Sequence, residues 1–403
     1  MGGAILIACE LPAGRRRRDR LVPMIARLTQ AGRRVTLAHR NPHAVPPAFG
    51  VETVAAPAWR ARPPPGFAAS SYADLLLHAG FASADALLPL VQGWLTLFGQ
   101  AKPDLLIADH APTALLAAGH IGLTAAVLGD GFALPPPGSP LPPLRPWRLR
   151  AAEAAAAAEG KALVAINAVQ ATLGATPLER LDRLFAGRPL LLCTFPEMDH
   201  YEGRGEAEYF GEVFGPGVAA SPAAPEQGDP PTWASTGGDR VLVRVDPRRR
   251  PFPALMQALT SLGLPAIVQV RPADQAQVAT LVREPVRLIA GVADRDALIA
   301  GATVVVCQDS RSAAPALLAG RPVLLAPTSV EQAMIMRRLT SQGLGHGLPQ
   351  PADAEAAATA LRHLLDDAAC RSRVADFARA YSGYRPALAM DTAAQVAIDL
   401  TGG

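Results

Sequence analysis

The sequence predicts an α/β protein of two domains, each a doubly wound parallel sheet with helices on both faces. Three observations predict it. Short apolar runs rich in Val, Ile and Leu, at residues 4–9, 105–108, 241–245 and 303–307, alternate with longer helical patterns. Such runs suit strands buried on both faces of a parallel sheet. The chain has 403 residues, long for one domain and natural for two. Half of the residues are hydrophobic but only 5% are aromatic, so Ala and Leu fill the apolar positions and helices packed on sheets are favoured over a sandwich.

The first domain begins with a buried strand at 4–9, a loop at 10–18, a helix at 20–30 with Gly32 as its C-cap, and a strand at 35–39. This βαβ unit has a right-handed connection. The run Arg15 to Arg18 leaves three readings open: a solvated loop, a helix-start site for phosphate or carboxylate, or attraction to an anionic membrane surface. Residues 42–65 are rich in Pro and Ala, with a weak strand at 51–55. Helices follow at 71–77 and 83–100, with Ser83 as N-cap, Pro89 placed to kink or split the second, and Trp94 read as core. The strand at 105–108 ends in Asp109-His110-Ala111-Pro112-Thr113 before a helix from 114. A strand at 124–128, a proline-dominated segment at 135–146, helices at 151–175 and 177–184, and a strand at 189–193 complete the domain; the last strand runs into Asp199-His200. Residues 202–238, rich in Gly, Pro, Ala and Ser, read as an interdomain linker.

The second domain starts near Arg240. Strands are expected at 241–245, 266–270, 286–290, 303–307 and 323–326, and helices at 252–262, 294–300, 353–367, 368–381 and 391–400, with an Ala/Leu-rich helix after Ser310 that stops at Gly320 and another opened by Glu331-Gln332. Ligands of such sheets sit beyond the carboxyl ends of the strands, where helix N-termini offer free N–H groups and a positive dipole. Gln308 to Ser312 and Glu331-Gln332 fall at such ends, as do Asp109-His110 and Asp199-His200 in the first domain.

Composition excludes several classes. A net charge of +3 argues against general nucleic-acid binding. Cys9, Cys193, Cys307 and Cys370 are far apart, so neither a disulfide framework nor a metal-spaced pair is expected. No P-loop, His-Glu-x-x-His motif or Gly-x-Ser-x-Gly elbow occurs. No secretory signal and no apolar run of ~20 residues occurs, so a cytoplasmic protein is expected, with peripheral membrane contact left open by the arginine run.

Gly320-Arg321-Pro322, Pro327, Glu331-Gln332 and Gly343-Leu344-Gly345 form a pattern that resembles the donor-binding region of GT-B glycosyltransferases of the nucleotide-sugar-dependent type. The opening ILIACELPAGRRRRDRLVPMIARLTQAGRRVTLAHR resembles the start of the same enzymes. ADHAPTALLAA, GDGFALPP and TFPEMDHY resemble a bacterial group of GT-B-like glycosyltransferases, so the resemblance covers most of the chain. It implies two Rossmann-like domains facing a central cleft: an acceptor domain at 1–201, a nucleotide-sugar domain at 239–385, and a helix at 386–403 crossing back to the first. It further implies transfer of a sugar from a UDP- or TDP-sugar co-substrate to a hydroxyl of a small-molecule, glycan or lipid acceptor. That transfer is metal-independent and inverting, with no tightly bound cofactor.

The family's pattern also assigns roles. Asp109 matches the carboxylate that orients the catalytic His, but Arg17 holds the position of that His, and arginine is no base near neutral pH. His110 is the candidate replacement, giving a catalytic pair His110 and Asp109. Arg17, Asp199 and His200 belong to the acceptor side. Gln308, Ser310, Arg311, Ser312, Glu331, Gln332 and Arg248 belong to the donor side, and no metal ligand is implied. Gln308 stands for the usual His, and Asp309 and Ser310 stand for the usual glycines. These departures support an alternative, a non-catalytic GT-B-like protein that binds a ligand or partner. A nucleotide-sugar isomerase or hydrolase is a third class with the same architecture.

Overall fold

The computed structural model describes residues 3–12, 16–45, 50–64, 66–213, 233, 237–291 and 294–402. Most of the expected linker therefore lies outside the described residues, as does Arg15 of the arginine run. The chain divides into two compact units, Met1–Val213 with Pro386–Gly403, and Phe214–Arg385.

Unit 1 carries a six-stranded parallel sheet in the order β3-β2-β1-β4-β5-β6. Its strands are β1 (Ala4–Cys9), β2 (Arg34–His39), β3 (Glu52–Ala55), β4 (Leu105–Asp109), β5 (Ala125–Gly129) and β6 (Leu190–Leu192). The helices between them are α1 (Arg16–Gln30), α2 (Tyr72–Leu76), α3 (Ala84–Ala101), α4 (Pro112–His120) and α5 (Ala151–Thr172). Strand side chains alternate between faces, and β1 shows the consequence. Leu6 and Ala8 join Trp94, Leu116 and Ile166 in one core. Ile5, Ile7 and Cys9 join Met24, Leu28 and Met390 in the other. All four cysteines are free and buried.

Local chemistry explains where the elements depart from the sequence pattern. The first helix starts at Arg16, within the expected loop, because Arg17 and Arg20 turn inward onto the end of β4. Pro89 lies inside α3 without splitting it, and Ser83 caps it by accepting from the Ala86 N–H. Residues 177–184 form only a short turn, Leu181–Leu184. Asn167 on α5 accepts from the Leu178 N–H at 2.7 Å and donates to its carbonyl at 3.1 Å, supplying the partners a helix would have provided. The last helix, α13 below, begins at Pro386, five residues ahead of the pattern. Among the described residues no single helix is long and apolar enough to cross a membrane.

Unit 2 carries a second parallel sheet, β12-β11-β10-β7-β8-β9. Its strands are β7 (Val241–Arg244), β8 (Ala266–Val270), β9 (Val286–Ala290), β10 (Val304–Cys307), β11 (Val323–Leu325) and β12 (Gly345–Gly347). Its helices are α6 (Pro251–Leu262), α7 (Gln275–Ala279), α8 (Arg295–Gly301), α9 (Ser310–Leu318), α10 (Val330–Ser341), α11 (Ala354–Asp366) and α12 (Ala368–Ala380). The remaining helix, α13 (Pro386–Asp399), packs on α1 and buries Met390, Ala393, Ala394 and Ala397 in unit 1. The pattern gave no sign of β12, a three-residue strand with two glycines. It pairs Gly345 with Val323, and a side chain at Gly345 would run into the Val323 carbonyl oxygen.

Candidate functional site

In unit 1 the ends of β1, β4 and β5 gather a buried ionic chain. Asp109 closes β4 and is 1% exposed. Both of its oxygens accept from Arg20 Nη2 at 3.2 Å, and Arg17 Nε stands 3.4 Å from Oδ1. Burial alone would raise this carboxyl, but Arg20 and Arg17 outweigh it and hold it below its ordinary value. Arg17 Nη2 also donates to the carbonyls of Leu11 and Asp109, at 2.7 and 3.0 Å. Arg20 reaches on to Asp130, with Nη1 3.8 Å from Oδ2. His200 Nδ1 lies 3.1 Å from the Asp130 carbonyl, and its ring packs on Phe132.

The expected pair of Asp109 and His110 is thus divided. The Asp109 carboxylate serves two arginines. His110 takes a left-handed backbone, φ 52°, as the chain turns from β4 to α4, and its ring lies 6.0 Å from that of Tyr72. Its Nε2 is buried with no hydrogen-bond partner. Burial, with Arg17 nearby, pushes its pKa down to about 4, so the ring is uncharged at neutral pH. Asp199, expected on the acceptor side, is held by four groups of its own unit. Arg204 grips both of its oxygens, Tyr209 donates to Oδ2 at 2.8 Å and the Tyr201 N–H to Oδ1 at 3.0 Å. So enclosed, Asp199 braces the loop after β6.

Glu10, absent from the sequence-based candidates, follows β1 directly and is 1% exposed. Its oxygens accept from the Thr113 and Ala114 N–H groups at 2.9 and 2.7 Å, at the first turn of α4. Burial pushes its carboxyl up to about 8 against those donors. A carboxylate just past a buried strand was the available signal.

In unit 2 the candidates gather where β7, β10 and β11 end. Asp309 caps α9, its side chain accepting from the Ser312 N–H at 3.2 Å. Gln308 is buried; its Oε1 accepts from the Asp246 N–H at 2.9 Å while Nε2 has no partner. Arg244, opposite Cys307 in the sheet register, likewise keeps Nη1 buried without a partner. Burial, then Arg295 and Arg311, lower its pKa, and Asp309 opposes them. Arg244 was missed because it ends an otherwise apolar strand run, where a single charge was the only sign. Ser310 is buried, and Arg311 and Ser312 are half-buried on the first turn of α9.

Glu331 and Gln332 open α10 as expected, both half-buried. Gln332 is partly committed: its Oε1 accepts from the Thr328 N–H and hydroxyl at 2.7 and 3.0 Å, and its N–H donates to Ser329 Oγ. Arg248, expected on the donor side, lies in the loop after β7. Its Nη2 binds buried Asp274 at 2.7 Å, alongside Arg271.

Two six-stranded parallel sheets, each wound with helices on both faces and each carrying its polar clusters at strand ends, make this a protein of the GT-B glycosyltransferase fold. The particular likenesses are to solved glycosyltransferases. The glycotransferase of kitacinnamycin matches with a TM-score of 0.69 at 17% identity, over 99% of both chains. The glycosyltransferase VinC in complex with DTDP matches with a TM-score of 0.67 at 16% identity, over 98% of this chain and 99% of that one. SnogD from Streptomyces nogalater matches with a TM-score of 0.61 at 19% identity, over 98% and 99%. No family model matches the chain, and neither does any curated protein.

Proposed function

We propose that the protein is a glycosyltransferase that moves a sugar from a nucleoside-diphosphate donor held by unit 2 to a hydroxyl of a small-molecule acceptor held by unit 1. The observation that carries this reading is the pair of buried donors without partners, Gln308 Nε2 and Arg244 Nη1, beside the N-terminus of α9 in a GT-B fold. An unmet buried donor costs about 1–3 kcal/mol. Anionic oxygens of a diphosphate would satisfy both groups, together with the α9 dipole and Arg311. Ser310 and Ser312 stand on the same turn, and Glu331 with the Gln332 amide suits the donor's sugar hydroxyls. The relatives point to the nucleotide: VinC was solved with DTDP and SpnG with thymidine diphosphate. SpnG was also solved with spinosyn aglycone, which favours a small aglycone acceptor here.

In the proposed step the acceptor oxygen attacks the anomeric carbon as the bond to the diphosphate breaks, with inversion. The hydroxyl proton passes to His110 Nε2, and the departing negative charge meets Arg244, Arg311 and α9. These positive groups do what a divalent ion does elsewhere, so the transfer is metal-independent. Titration with TDP and UDP tests the reading. A saturable site is expected, with TDP the tighter, weakened about 10–100-fold by Arg244→Ala, the worth of one charge-assisted hydrogen bond. Failure of both diphosphates to bind sinks it.

A second reading, ligand binding without transfer, is favoured by one observation: both oxygens of Asp109 are committed to arginine, and burial with Arg17 holds the His110 pKa at about 4 although Asp109 and Asp130 oppose them. Diphosphate binding combined with no donor hydrolysis and no transfer would select it.

A further inference from the structure

His346, His363 and Asp367 come together at the edge of the unit 2 sheet. His346 lies on the edge strand β12, His363 in the last turn of α11, and Asp367 at the junction of α11 and α12. His346 Nε2 is 2.8 Å from Asp367 Oδ2, and the two imidazole rings meet edge to face at 4.4 Å. One ligand atom from each of the three residues lies within 4.8 Å of the other two. The other carboxylate oxygen, Oδ1, accepts from the Cys370 N–H at 2.9 Å as the cap of α12, which fixes the orientation of Oδ2. A groove of about 520 Å³ opens beside both imidazoles.

We propose that this cluster binds a divalent ion of the zinc class, with His346 Nε2, a nitrogen of His363 and Asp367 Oδ2 as its protein ligands. Two imidazoles and one carboxylate suit zinc, cobalt or nickel, whereas magnesium and calcium select oxygen. A His–Asp hydrogen bond needs no second imidazole, yet one stands against the same pair. A tetrahedral ion at about 2.0–2.1 Å from each ligand holds them roughly 3.3 Å apart. His363 is exposed on a terminal helical turn, so a side-chain rotation closes the remaining distance. Asp367 Oδ1 keeps its cap while Oδ2 ligates, the supporting contact that metal-binding carboxylates commonly have. Water from the groove fills the remaining position. The ion would tie the three-residue strand β12 to the α11–α12 junction. It would sit two strands away from β10, where α9 begins, and take no part in the transfer proposed above.

Cobalt(II) chloride titrated into the full chain tests this, read by visible d–d absorption, with zinc chloride competing the signal away. One equivalent of cobalt in a tetrahedral spectrum is expected. His363→Ala, at an exposed position, should weaken uptake by more than about 100-fold, beyond the loss for an outer contact. Asp367→Asn keeps an oxygen for the α12 cap and should lose affinity with its folding intact. Zinc should raise the melting temperature of the wild type and leave that of His363→Ala unmoved. Absence of a saturable d–d signal, or equal uptake by wild type, His346→Ala and His363→Ala, overturns the proposal.

Discussion

Asp109→Asn should cost unit 1 about 3–5 kcal/mol, the usual result of removing one partner from a buried ion pair. The structure says where that cost falls. Arg17 and Arg20 are 7% and 5% exposed, so neither can turn to water. Arg20 keeps Asp130 at 3.8 Å, but Arg17, which also donates to the carbonyls of Leu11 and Asp109, loses its acidic partner among the described residues and becomes an uncompensated buried charge. Urea unfolding followed by circular dichroism measures the loss. The double variant Arg17→Met/Asp109→Asn should recover much of it, because that charge is removed with its partner. The pH dependence gives a second check. The folded-state pKa of Asp109 is depressed by Arg20 and Arg17 despite burial, so the unfolded chain binds this proton more readily. Its contribution is complete above the ordinary carboxylate value of about 3.9 and is lost as the pH falls through the folded-state value. The gap between wild type and Asp109→Asn should stay constant from pH 7 to 5 and shrink below about 4. A gap under about 1 kcal/mol at pH 7, or one that grows in acid, refutes the reasoning.

His110 behaves in the same sense over a different window. With its pKa pushed from 6.5 to about 4, the folded state resists protonation, so stability should decline as the pH falls from 6.5 towards 4. His110→Asn, which suits the left-handed backbone, should remove that decline and lower turnover by about 10²–10⁴-fold; an unchanged acid profile or unchanged rate tells against it. Trp94→Ala should cost about 3–5 kcal/mol in thermal or urea unfolding, since the indole is fully buried in the core that α3 forms with the sheet. Gly345→Ala should cost at least about 1–3 kcal/mol and raise amide exchange along β12, because the added methyl meets the Val323 carbonyl; exchange at the wild-type rate would contradict the close approach.

The strands were legible wherever burial on both faces made them continuous apolar runs, as in β1, β4 and β10. β12 was not, because Gly345-His346-Gly347 carries no hydrophobic signal; backbone pairing to β11 alone makes it a strand. The helix expected at 177–184 failed for the converse reason: its local pattern was helical, but a distant side chain, Asn167, claimed its backbone. Position at strand ends located the candidate clusters, since topology fixes which loops lie there. Their partners did not follow, because which carboxylate an arginine reaches is a tertiary fact. Arg248 turned to Asp274, and Arg17 and Arg20 turned to Asp109, while Arg244, on the strand itself, keeps Nη1 buried without a hydrogen-bond partner.

The docking of α13 on α1 bears on how the polypeptide is made. Met390, Ala393 and Ala397 fill one face of the unit 1 core, yet the ribosome delivers them after the whole of unit 2. At translation rates of about 5–20 residues per second, that face waits roughly 10–35 s for its last layer. Nascent unit 1 thus emerges with Met24, Leu28 and their neighbours uncovered. Truncation just before Pro386 would leave that apolar strip permanently bare, so holdase chaperones should bind the shortened chain through the α1 side.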